Sequence, residues 1–181
     1  MDDTVVDKLH RDFKDVVGIL ENKAEVSLRT SIEEVVRKSL LLCAASYFER
    51  RLTAIVETFV REMSRGNSLV TSLVKNKAIH RQYHTWFVWE AKNANSFFGL
   101  FGDEFKKFMK ARVESDRDLE MAIKAFLELG NERNRLTHQD FGSFLLEKTA
   151  DEIYILYQQA MKFVDMLPSV LRECSAEENC D

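Results

Sequence analysis

The chain has 181 residues, 45% of them hydrophobic and 31% charged, and a formal net charge of −4. That is one domain's worth of chain with enough apolar residues for a sizeable core, and it is not a uniform polycation. Thirteen Phe beside a single Pro and six Gly point to an all-helical domain and away from a turn-rich sheet.

The first predicted helix covers residues 4–24, where Val5, Leu9, Phe13, Val16, Val17 and Leu20 recur at steps of three and four. A break follows over 24–29. Ser31 and Glu34 form a capping-box pattern that opens a long helix running to about Ser64. Its middle, Ser39 to Phe48, carries no charge, so it is predicted to be buried on all sides and central to the bundle. Gly66 is the expected C-cap. Glu49 lies along the apolar row of this helix and calls for a partner: Arg133, Arg135, or Arg50 through a subunit contact, unless it stays half-exposed.

Residues 69–91 are less regular. Leu69, Val70, Leu73 and Val74 suggest a short helix, and the aromatic run at 83–89 reads as core. His80 and His84 are one turn apart, but no third ligand accompanies them, so no metal site is expected. A connector over 93–102 leads to a short basic helix over 103–113. Ser115 to Asp118 starts another, whose buried face is Leu119, Ala122, Ile123, Phe126, Leu127 and Leu129. Thr149 and Glu152 form a second capping box. The final helix that it opens is expected to kink or stop at Pro168. Residues 1–174 are thus expected to form a single helical domain, followed by an acidic flexible tail over 175–181.

Charge is uneven along the chain. Residues 50–135 hold 16 basic and 11 acidic groups, whereas 136–181 hold 3 basic and 9 acidic. Any anion-binding surface is therefore expected in the middle third. Cys43, Cys174 and Cys180 are odd in number and lack ligand spacing, which fits a reducing compartment. Met1-Asp2-Asp3 does not open a secretory signal, and no uncharged run reaches the ~20 residues of a membrane span, so a cytoplasmic protein is expected.

The chemistry concentrates in Arg133-Asn134-Arg135-Leu136-Thr137-His138, between two long helices. Arg133 offers a permanent planar fork of donors suited to phosphate, and His138 titrates near neutrality. Both types also have a structural use, since basic residues at a helix end satisfy its last carbonyls. No Gly-rich phosphate loop and no acidic cluster for magnesium accompanies them.

This segment resembles the signature of the HEPN superfamily: arginine, a polar residue, three more, then histidine. Cys43-Ala44-Ala45-Ser46-Tyr47-Phe48-Glu49 and Leu100-Phe101-Gly102 resemble its bacterial stand-alone branch. The resemblance implies an all-α bundle around a long central helix at about 31–64, paired as a two-fold homodimer. It implies a metal-independent, cofactor-free endoribonuclease of toxin or anti-phage type that leaves a 2′,3′-cyclic phosphate. Arg133 and His138 then become the catalytic pair, with Asn134 and Glu49 in support. Arg135 and Thr137 match no fixed position and are assigned RNA-backbone contacts only. RNA is the expected substrate, and an antitoxin or a larger defence effector the expected partner. The other reading is a HEPN-like dimerisation or partner-binding module without catalysis.

Overall fold

A computed structural model describes residues 3–177. Among them are eight α-helices and no strand: α1 (Val5–Asn22), α2 (Val26–Met63), α3 (Ser68–Val74), α4 (Tyr83–Trp86), α5 (Asn95–Phe98), α6 (Asp103–Ser115), α7 (Arg117–His138) and α8 (Ala150–Glu177). The chain is all-α, as composition indicated.

α1 starts in a capping box: Thr4 Oγ1 accepts from the Asp7 N–H, and Asp7 Oδ2 accepts from the Thr4 N–H. Val6, rather than Val5, is fully buried, and Val16 is exposed. The helix is thus rotated slightly from the expected stripe. Its N-terminal half is tied to α8 by Asp151, which accepts from Lys14 and pairs with His10, whose ring stacks on Tyr154 at 3.9 Å.

α2 begins five residues before the expected Ser31. A left-handed Ala24 (φ 56°) confines the break to Lys23–Glu25. Ser31 is no cap; it lies inside the helix and donates its hydroxyl to the Ser27 carbonyl. A cap serine accepts from an N–H whereas this one donates to a carbonyl one turn back, but the residue is the same, so the two are alike in sequence. Glu34 instead pairs with Lys38. The uncharged middle is not buried all round either. Leu40, Leu41, Ala44 and Phe48 are buried, but Leu42 and Cys43 are half-buried and Ser46 is exposed. At the C-terminal end, Arg65 and Gly66 both take left-handed conformations, and the Gly66 N–H returns to the Arg61 carbonyl.

α7 and α8 pack side by side against α2. Rings mark their meeting point: Phe48 of α2 stands 5.6 Å from Phe126 of α7 and 5.3 Å from Tyr157 of α8, and Phe126 lies 5.3 Å from Phe163. The segment between α4 and α6 supplies a second aromatic layer, in which Phe87 stacks on Phe97 and leans on Phe126, each at 4.9 Å. α8 opens in the expected Thr149–Glu152 capping box. It does not stop at Pro168: buried Val164 and Leu171 anchor the turns on either side. The helix runs on to Glu177, and residues 178–181 of the expected tail lie outside the described residues.

Candidate functional site

The segment 133–138 is helical. α7 continues for two turns beyond Gly130 and ends at His138, rather than loosening at the glycine. The reason is tertiary. The Trp89 ring lies flat against the bare backbone at Gly130, where a Cβ would overlap its Cζ3 and Cε3 atoms and stand 3.1 Å from Cη2. Glycine here admits an indole into the helix surface, and the indole covers the backbone that glycine exposes.

Arg133 continues the row Phe126–Gly130 along α7 and emerges at the edge of the core. Its Nη1 donates to Asn134 Oδ1 at 3.1 Å, and its Nη2 stands 3.6 Å from Glu49 Oε2 on α2. Of the three partners foreseen for Glu49, Arg133 is the one the fold supplies. Both side chains keep about a third or more of their surface exposed (34% and 42%), so the guanidinium is oriented yet still reachable. Beneath them is a cavity of about 10 Å³, walled by Ala45, Phe48, Tyr83, Trp89, Arg133 and Asn134 among others.

Tyr83 is the residue that sequence reasoning missed. It is buried, and its hydroxyl is held far above the ordinary phenol range, first by burial and then by the negative Glu49, with Arg133 acting in the opposite direction. It therefore stays a neutral phenol within electrostatic reach of both charged groups. No local spacing links Tyr83 to Arg133 fifty residues later, so the chain gave no signal.

His138 is exposed at the last position of α7 and shares no hydrogen bond or ion pair with Arg133, Asn134 or Glu49 among the described residues. It lies one turn after Asn134 on the same helix face. Thr137 bonds back to the Asn134 carbonyl. Arg135 points elsewhere, pairing with Glu132 at 2.8 Å and lying over the Phe144 ring. One chain thus joins Arg133, Asn134 and Glu49, and leaves His138, Arg135 and Thr137 apart from them.

The loop after His138 is fastened from below. Lys38 is only 2% exposed, and its Nζ donates to the Phe141 carbonyl at 2.8 Å and to Glu34 at 3.0 Å. Asp140 accepts from Ser143 and from the Gly142 N–H, which holds its carboxyl below the usual range. Phe144 and Leu146 bury, and Lys148 pairs with Glu128. Lys38 could have been suspected as the last charge before the uncharged run, with Glu34 one turn earlier. His80 and His84 are both exposed, and no group of three or more His, Cys, Asp or Glu side chains converges among the described residues.

No curated protein matches the chain, and no solved structure matches it. A family profile does, and its match runs from the first turn of α1 to the last turns of α8, taking in α2 with Glu49 and the Arg133–His138 segment. Over residues 7–173 the sequence fits the profile described as RiboL-PSP-HEPN, and the chain belongs to that family of the HEPN superfamily.

Proposed function

We propose that the protein is a metal-independent endoribonuclease of a toxin or anti-phage type. The observation that carries this reading is an arginine oriented by Glu49 and Asn134 at the core's edge, with an exposed, unengaged histidine at the end of the same helix. In the reaction the ribose 2′-oxygen bonds to phosphorus and the bond to the 5′-oxygen breaks, leaving a 2′,3′-cyclic phosphate. The 2′-hydroxyl loses its proton to a base, and the leaving 5′-oxygen gains one from an acid. RNA supplies its own nucleophile, so no bound metal is needed to generate one. Imidazole suits either proton transfer, and a guanidinium stabilises the crowded phosphorane.

One helix does not bring both groups to one phosphorus. Five residues of α-helix separate Arg133 from His138 by about 7.5 Å along the axis and about 140° around it. A two-fold pair would set two copies of each residue around a shared cleft.

The second reading, a partner-binding module without catalysis, is favoured by the small cavity beside Arg133, whose roughly 10 Å³ admits no nucleotide in a single chain. One assay separates the two. Purified protein is incubated with structured and single-stranded RNA in EDTA, and the product ends are analysed. The nuclease reading expects cyclic phosphate ends from the wild type and loss of cleavage in both Arg133→Ala and His138→Ala. Wild-type rates in both variants overturn it.

A further inference from the structure

A groove of about 390 Å³ opens far along α2 from Lys38, lined by Val56, Phe59, Val60, Val74, Trp86 and Leu100 among others. Beside it runs α3, which buries none of its residues: Leu69 is 81% exposed, Leu73 62% and Val70 45%. Val70 and Val74 are one turn apart, so the apolar face of α3 continues into the groove. Leu100, 57% exposed, extends the opposite wall. A short helix held at the surface with its leucines outward is an incomplete packing unit.

The segment that carries α3 and one wall of the groove holds charge of one sign only. The 27 residues from Met63 to Trp89 contain no Asp or Glu, yet carry Arg65, Lys75, Lys77 and Arg81, in a chain whose net charge is −4. Lys75 pairs with Glu57. Lys77 lines the groove itself, and neither it nor Arg65 nor Arg81 meets a carboxylate among the described residues. Three of the four cations in this acid-free segment are thus left without an ion-pair partner among the described residues.

We propose that the groove is the docking site for an acidic amphipathic helix of a partner protein. Its apolar residues at helical spacing would seat against Val60, Val74 and Leu73, and its carboxylates would face Lys77, Arg65 and Arg81. A second copy of this chain fits poorly, because a two-fold interface would set the acid-free segment against itself. RNA fits less well: the most exposed side chains, Leu69, Val70, Leu73 and Leu100, are aliphatic and Trp86 and Phe97 are buried, which leaves only the half-buried Phe59 and Phe101 as rings in the groove. A bilayer does not fill a concave groove. The proposal stands independently of the cleavage reading.

The test uses the full chain and two fluorescein-labelled helical peptides that share one leucine stripe, with glutamates at all other positions in one and lysines in the other. Fluorescence anisotropy is expected to show saturable binding of the acidic peptide and at least about tenfold weaker binding of the basic one, a difference set by the rim charges. Leu73→Glu removes an exposed side chain, so the fold should survive, as circular dichroism would check, while binding of the acidic peptide falls at least about tenfold. In the double variant Lys77→Glu/Arg81→Glu the preference should reverse, which a purely hydrophobic surface would not do. Equal binding of both peptides, or none, overturns the proposal. So does a change in the protein's own sedimentation in Leu73→Glu, which would assign the face to a second copy. Co-sedimentation with phosphatidylglycerol vesicles that is lost in Leu73→Glu assigns it to a lipid surface and equally overturns the proposal.

Discussion

Replacing Gly130 with alanine should destabilise the protein, although the same change in an ordinary helix stabilises it. An interior Gly→Ala exchange gains about 1 kcal/mol in helix propensity. At Gly130 the new methyl overlaps the Trp89 ring, which has little room to retreat: Phe87 stands 5.1 Å away, Tyr83 5.6 Å and Phe126 5.9 Å. Its Nε1 is also tied to the His84 carbonyl at 3.2 Å. Restoring ordinary contact at about 3.5 Å requires the indole to move by more than about 1 Å. Overpacking of this kind costs about 1–3 kcal/mol, and loosening the indole hydrogen bond adds about 1. The net expectation is a loss of about 2 kcal/mol, or about 4–8 °C in Tm for a chain of this size. Gly18 is an internal control: it lies in α1 with nothing within 4 Å of an added Cβ, so Gly18→Ala should stabilise by up to about 1 kcal/mol. Urea and thermal unfolding of both variants give the comparison, and Trp89→Leu in the Gly130→Ala background should recover most of the loss. A Gly130→Ala protein as stable as wild type would refute the argument that the indole requires this glycine.

Glu49→Gln keeps the shape of the Arg133 partner and removes its charge. Because the pair is partly exposed and 3.6 Å apart, stability should change by less than about 1 kcal/mol, while RNA cleavage falls at least tenfold, roughly the effect of misplacing a group that holds a transition state. Unchanged cleavage would remove the orienting role from Glu49. Lys38→Met fills the same space but leaves the Phe141 carbonyl without its donor, at a cost of about 1–3 kcal/mol. Limited proteolysis should then cut first within 139–148, and an intact loop at equal stability would contradict that reading. Acid should weaken the fold through Asp7 and Asp151. Burial alone would raise the Asp7 carboxyl, but bonds from Thr4 and Tyr154 carry it below the ordinary value, and Asp151 is lowered by Lys14 and then His10. A carboxyl lowered in the folded state contributes stability above its unfolded value of about 3.9, and that contribution is lost as pH falls through the folded value. Urea midpoints should therefore drop below about pH 4, and Asp7→Asn and Asp151→Asn should each flatten that decline.

The sequence disclosed what depends on repetition. The buried face of α7 follows from apolar spacing, and every residue named for it, Leu119, Ala122, Ile123, Phe126, Leu127 and Leu129, is buried. The Thr149–Glu152 cap was legible because both halves of the device lie three residues apart. Ser31 carried the same pattern and misled, since the helix had already begun and its hydroxyl found the Ser27 carbonyl. Gly130 gave no such signal: propensity counts the entropy of a glycine but not an indole arriving from forty residues earlier. Arg133 and His138 were visible as a motif, whereas their separation into a held cation and an exposed imidazole required the helix to be seen running through them. Tyr83 and Lys38 act across fifty and a hundred residues, a range at which neighbouring side chains carry no information.

An unbroken helix through the motif also dictates how its length can vary. One residue inserted between Arg133 and His138 would swing the imidazole by about 100° and advance it by about 1.5 Å. Exchanging Arg135 or Thr137 for another side chain leaves that angle where it was. For anyone redesigning this segment, Arg135 and Thr137 are open to exchange and the count is closed: a single deletion should be as damaging as losing the histidine itself.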